Sequence, residues 1–279
     1  MSIISFWSPE HGRGNTSNSA AVGAMIGLDY DIRTLIARTQ FGDSSLEGAF
    51  LKSKELQLRN FAASTASGMD ALERLFKTKR LEAASISNHT LSLEPGRLDL
   101  LTGTSKSYES AYEGIEHVIA AIFEEAKRYY QAIILDIEGG STNAVSNQLL
   151  KSSDLVVVNL SQDIMSLERY ISKEQWPSGL QETNRMILLG QYDPHSKYNM
   201  TNIRRKFGIK DPVFALPYCS EYRDAFNDRD VLGWFRRSRN AGRRHGSYPF
   251  FQEVRKTAKE ILAQIGVNTE IKHIERGVS

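Results

Sequence analysis

Four short runs of almost unbroken apolar residues set the frame for this chain: Ala132 to Ile137 (AIILDI), Leu155 to Leu160 (LVVVNL), Met186 to Gly190 (MILLG) and Val213 to Leu216. A strand with one wet face alternates apolar and polar residues. A run without that alternation is covered on both faces, as in parallel sheets. Ile3 to Trp7, Thr34 to Ala37 and Leu98 to Leu101 read as further strands. Between them lie helical stretches: Thr16 to Gly27, Met69 to Lys79, Tyr108 to Tyr130 and Phe250 to Ile265. In Met69 to Lys79, the residues Met69, Leu72, Leu75 and Phe76 recur at helical spacing on one face. Strands alternating with helices predict a three-layer α/β protein with a mainly parallel sheet of about seven or eight strands and helices on both faces. The 279 residues hold no internal repeat and no low-complexity linker, so the expectation is one domain over 1–279.

Composition narrows the function classes. The chain is 41% apolar and 24% charged, which permits a sizeable core and excludes a disordered polymer. Net charge is +2, so any binding to nucleic acid or anionic lipid has to come from a local patch. Cys219 is the single cysteine, which rules out an internal disulfide and fits a reducing compartment. No run reaches the ~18–20 apolar residues of a membrane span. The opening MSIISFWSPEHGRG has no basic n-region and an apolar run of strand length, so it does not read as a secretory signal. The expectation is a cytoplasmic protein without a transmembrane segment. The six histidines show no metal spacing, and neither HExxH nor G-x-S-x-G occurs.

Ligands of open α/β sheets bind beyond the carboxyl ends of the strands. The first strand-to-helix turn here is Ser8-Pro9-Glu10-His11-Gly12-Arg13-Gly14-Asn15-Thr16-Ser17. Glycines let successive N–H groups converge, and a helix N-terminus adds partial positive charge, which together cradle an anion. A Gly-x-Gly turn alone is equally a tight connection capped by Thr16 or Ser17.

The order of motifs along the whole chain separates these readings. Glu10 to Ser17 resembles the deviant phosphate loop of ParA/MinD-like ATPases, K-G-G-x-G-K-[ST]-[ST]. Further segments resemble that family in the same order: GRLDLLTGTSK (Gly96 to Lys106), AIILDIEGG (Ala132 to Gly140), SDLVVVNLSQDIMSLE (Ser153 to Glu168), LLGQYDPHSKYNMTNIRRKFG (Leu188 to Gly208) and VFALPYCSEYRDAFNDRDVL (Val213 to Leu232). GMDALERLFKTKRL followed by GRLDLLTG is most similar to the TadZ/CpaE-like branch of pilus assembly proteins. The resemblance implies a P-loop fold, ATP and Mg2+ as cofactors, and a homodimer. It places Gly12, Arg13, Gly14, Asn15, Thr16, Ser17, Asp136, Pro217 and Tyr218 at the nucleotide, with Thr16 and Asp136 at the metal.

The departures from the family pattern are chemical. Asn15 stands where the phosphate-binding lysine belongs, and Glu10 where the lysine that reaches across a dimer belongs. His11 replaces a glycine, and Ala37-Arg38-Thr39-Gln40 lacks the usual aspartate after the second strand. A carboxylate ~4–6 Å from a phosphate costs roughly 3–4 kcal/mol at an effective dielectric of ~20. The expectation is therefore a ParA/MinD-like localisation or assembly factor for a pilus or cell-envelope apparatus, with weak or absent ATP hydrolysis. Two alternatives stand beside it: an active ATPase using Arg13 or Arg38 in place of the lysines, and a nucleotide-free interaction module on a vestigial loop.

The densest basic run is Trp234 to His245, containing Arg236, Arg237, Arg239, Arg243 and Arg244. It reads either as a contact surface for an acidic partner, anionic lipid or nucleic acid, or as a solvated loop with Trp234 packed inward. With anionic lipid as the contact, the first reading implies a location peripheral to the inner face of a membrane. The expected partners are proteins of a secretion, pilus or positioning system.

Overall fold

The computed structural model describes residues 1–39, 45–52, 68–104, 114–140, 144–173 and 176–273. Eight strands form one sheet: β1 (Ser2–Trp7), β2 (Thr34–Arg38), β3 (Leu91–Glu94), β4 (Leu98–Leu101), β5 (Ala132–Asp136), β6 (Leu155–Leu160), β7 (Arg185–Tyr192) and β8 (Val213–Pro217). Their spatial order is β3-β4-β2-β5-β1-β6-β7-β8. Every pairing is parallel except β3 with β4. β1 lies centrally between β5 and β6, which accounts for its unbroken burial.

The helices are α1 (Asn15–Asp29), α2 (Ser45–Phe50), α3 (Gly68–Lys77), α4 (Ala83–Asn88), α5 (Ile115–Ala126), α6 (Ala144–Ser152), α7 (Ile164–Ser172), α8 (Met200–Phe207), α9 (Ser220–Asn227), α10 (Val231–Ser238), α11 (Tyr248–Gln264) and α12 (Thr269–Lys272). The two-residue period of a strand sends neighbouring side chains to opposite faces. Ile4 and Phe6 of β1 join the core under α1, α2, α9, α10 and α11. Ile3 and Trp7 join the core under α3 to α8. The result is three layers, helix–sheet–helix, as the alternating pattern predicts.

Sequence and structure differ in extent and in several elements. The antiparallel edge strand β3 has no strong apolar signal, because its residues are only half covered. The helix expected over Tyr108 to Tyr130 runs from Ile115 to Ala126, and residues 108–113 of that expectation lie outside the described residues. Strands β1, β2, β5, β7 and β8 and helices α1, α3 and α11 deviate by one or two residues at their ends from the sequence reading, and helices α6 to α10 and α12 carry no assignment in it.

Helix α1 owes its position to small residues. It is buried on nearly every side, and a Cβ on Gly27 would meet the Leu98 Cβ at 2.7 Å. One on Gly23 would meet the Ile36 Cδ1 at 2.8 Å. The helix therefore lies close on the sheet and fixes the turn that precedes it.

Among the described residues, no helix is long and apolar enough to cross a membrane.

Candidate phosphate-loop site

The turn from β1 to α1 rises from the middle of the sheet at the carboxyl ends of the parallel strands. Gly12 and Gly14 take φ of 76° and 80°, the left-handed region that side chains with a Cβ rarely adopt. The first N–H groups of α1 have no acceptor four residues back, and no side chain caps them at Gly14. The backbone of an anion cradle is therefore present.

The side chains of the cradle turn inward. The Asn15 Nδ2 lies 2.9 Å from the Phe6 carbonyl, 2.7 Å from Asp136 Oδ1 and 2.9 Å from the Ile137 carbonyl. Its two hydrogens are shared among three acceptors. Asn159 Nδ2 donates to Asn15 Oδ1 at 2.7 Å, and Asn18 Nδ2 donates to Asn159 Oδ1 at 2.8 Å. Both amide hydrogens of Asn15 are thus donated inside the protein, and its oxygen accepts from Asn159. The Thr16 hydroxyl donates to Asp136 Oδ2 at 2.7 Å.

Asp136 ends β5, opposite Phe6 of β1 and Arg38 of β2. It is 1% exposed. Burial pushes its carboxyl up to about 6, while hydrogen bonds from Thr16 and Asn15 and the Arg38 charge pull the other way. Sequence reasoning brings Asp136 and Thr16 together, and the structure joins them. Thr16 keeps its lone pairs free while its proton is held by Asp136, which fits the inner edge of a magnesium shell. Among the described residues no group of three or more His, Cys, Asp or Glu could hold a metal by itself. Such an ion would need phosphate oxygens as further ligands. The loop does not fit a triphosphate in the same way, because no cation of the loop is left free to balance its charge.

The two candidate arginines are both engaged. Arg13 donates from Nε to Glu10 Oε2 at 2.7 Å and also through Nη2. Its Nη1 donates to Ser161 Oγ at 3.2 Å, and Asp163 Oδ2 lies 3.7 Å from Nη2. Arg169 of α7 binds the other oxygen of Glu10. Arg38 pairs with Glu47 of α2 at 3.1 Å, and the same carboxylate accepts from the Gly103 N–H at 2.7 Å.

The remaining candidates lie elsewhere. His11 is exposed on the loop. Ser17 turns its hydroxyl back to the Gly14 carbonyl at 3.0 Å. Pro217 and Tyr218 stand at the end of β8, on the sheet edge three strands from β1, with Tyr218 exposed. Trp234 is buried, its ring centroid 5.5 Å from Tyr222 and 5.9 Å from Phe250. Arg236 pairs with Glu94, Arg237 with Asp230 at 2.8 Å, and Arg239 with Asp29 at 2.7 Å. Arg243 and Arg244 are exposed.

Sequence reasoning missed Asn159, Asn18, Arg169 and Tyr222. Asn159 left a signal, as the one polar residue in the strand LVVVNL. Tyr222 donates to the Ser17 carbonyl at 2.5 Å across 205 residues, and nothing local announces that contact.

This arrangement of a central β1, a glycine turn and a buried carboxylate on the neighbouring strand defines a P-loop α/β fold of the ParA/MinD type. Solved structures agree. A ParA family ATPase from Chlorobium tepidum TLS superposes with a TM-score of 0.67 at 14% identity, over 92% of this chain and 98% of that one. MinD in a MinC:MinD cell division complex from Aquifex aeolicus gives 0.67 at 16%, over 94% and 96%. Apo McdA from Cyanthece gives 0.66 at 13%, over 94% and 99%. At these identities the likeness establishes the fold. No protein-family model matches the sequence, and no curated protein matches it.

Proposed function

We propose that this chain is a ParA/MinD-like localisation or assembly factor for a pilus or cell-envelope apparatus, with weak or absent ATP hydrolysis. One observation carries the second half: the side chain at the lysine position of the phosphate loop, Asn15, is turned inward with both its amide hydrogens donated inside the protein. A lysine there would contribute charge-assisted hydrogen bonds of ~1.5–3 kcal/mol each to phosphate. Asn15 contributes none, and affinity falls by roughly one to two decades for each such bond lost. Support for the first half comes from the fold shared with a ParA family ATPase, a MinC:MinD cell division protein complex and a putative plasmid partition protein. The order of sequence motifs adds the TadZ/CpaE-like resemblance.

The test is steady-state ATP hydrolysis by the purified protein. Turnover below background is expected, and ~1 s⁻¹ or faster would overturn the reading. A fluorescent fusion should concentrate at discrete sites on the cell envelope. A uniform distribution would remove the localisation role. Calorimetry with Mg-ATP separates a weak nucleotide binder from a vestigial loop, which would release no heat at millimolar nucleotide.

A further inference from the structure

Two arginines from distant parts of the chain meet on one carboxylate beside the phosphate loop. Glu10 offers Oε2 to the Nε and Nη2 of Arg13 and Oε1 to Arg169 of α7, 159 residues away. A carboxylate bridged in this way occupies the same two-guanidinium geometry that recognises a tetrahedral oxyanion. Its side chain is only 15% exposed, whereas those of Arg13 and Arg169 are 30% and 42% exposed. The arginines can thus be reached from solvent while the carboxylate between them is covered. A cavity of about 300 Å³ opens beside Arg13, lined in part by Gly12, Ser161, Asp163, Gly190 and Gln191. Ser161 presents a hydroxyl there.

We propose that Glu10 is an internal anion that holds a two-arginine site shut, and that Arg13 and Arg169 bind a phosphate-class oxyanion once Glu10 is released. This rests on the reading that the lysine-free loop does not hold a triphosphate unaided. Charge and tethering separate the closed form from the open one. Glu10, Arg13, Arg169 and Asp163 sum to zero as they stand, so an added anion meets no net attraction. With Glu10 withdrawn the group carries one positive charge, and the unpaired N–H groups at the start of α1 lie on the same loop. A tethered carboxylate competes as an intramolecular ligand at an effective concentration on the order of millimolar, so the closed form resists phosphate below that level. Asp163 stays in place as the cap of α7, accepting from the Met165 N–H at 3.1 Å. It limits the site to anions that both arginines can reach.

The experiment is calorimetric titration of the full chain with inorganic pyrophosphate and, separately, with ATP. Glu10→Gln should bind pyrophosphate at least tenfold more tightly than the parent. Arg169→Ala added to Glu10→Gln should remove most of that gain. An equal gain for pyrophosphate and ATP fits a site that reads the phosphate group. A gain for ATP with none for pyrophosphate would overturn the proposal, since binding would then depend on the nucleoside. A folded Glu10→Gln protein within twofold of the parent would also overturn it, as would a gain that survives Arg169→Ala. Should Glu10→Gln fail to fold, Glu10→Asp keeps the charge and shortens its reach. It should show a smaller gain of the same sign, and no gain would refute the latch. Hydrolysis by the parent would sink the proposed function and leave these pyrophosphate comparisons standing.

Discussion

Replacing Asp136 with asparagine separates two opposing contributions of the buried carboxylate. In the folded protein its carboxyl sits at about 6, against an ordinary value of 3.8, with burial as the largest cause. The unfolded chain therefore releases this proton at lower pH than the folded one. Stability from this group is fully present below about pH 3.8 and is lost as pH rises through about 6. Each pKa unit is worth about 1.36 kcal/mol, so the full loss is about 3 kcal/mol at neutral pH. Asp136→Asn keeps an acceptor for Asn15, and the Thr16 hydroxyl can reverse to accept from the new amide. The variant carries no charge to desolvate. Urea unfolding of parent and variant at pH 4 and pH 7.5 should show the variant gaining about 2–3 kcal/mol relative to the parent between those values. Groups common to both proteins cancel in that difference. A parent-minus-variant difference that is flat across the two pH values would refute the argument that burial, rather than hydrogen bonding, dominates this carboxylate.

Three further outcomes test other parts of the structure. The double variant Asn15→Lys with Glu10→Lys should gain at least tenfold in Mg-ATP affinity by calorimetry, because it restores cations to an intact backbone cradle. Asp29 is 1% exposed and pairs with Arg239 at 2.7 Å and Arg255 at 2.9 Å. Asp29→Ala removes the carboxylate that both arginines share, although Arg239 keeps the Leu28 carbonyl and Arg255 the Phe251 ring, so the cost should be about 2–3 kcal/mol, read as a lower melting temperature. Gly27→Ala should destabilise by about 1–2 kcal/mol in denaturant unfolding, although alanine is the better helix former by about 1 kcal/mol. Its new methyl group meets the Leu98 Cβ at 2.7 Å, and that atom is fixed to the sheet backbone. An increase in stability would show that α1 can move away from β4.

The parallel sheet and its layers were legible because strands covered on both faces have to be apolar at nearly every position. LVVVNL and AIILDI carry that requirement openly. The glycine turn was legible for a related reason: Gly12 and Gly14 need a left-handed backbone, and residue type reports that directly. The pairing of Asp136 with Thr16 followed once Asp136 was placed at the carboxyl end of a central strand and Thr16 at the start of the helix that follows the glycine turn. The edge strand β3 was not legible, since a half-covered strand has little apolar surface to declare.

What the amino-acid order determined by itself was local: seven of the eight strands, four of the helices, the glycine turn, and that the loop lacks lysines. What only the tertiary structure decided was the fate of each charge and amide in that loop. Asn15 is satisfied by Phe6, Asp136, Ile137 and Asn159, and Glu10 is held by Arg13 and Arg169. Only Arg13 and Phe6 among these partners lie within ten residues. The others come from strands and helices more than a hundred residues on, brought together by sheet order. Hydrogen bonds and ion pairs act over a few ångströms of space, whatever the sequence separation. A reading along the chain can therefore name a polar residue at a loop without knowing whether it faces a ligand or an internal partner.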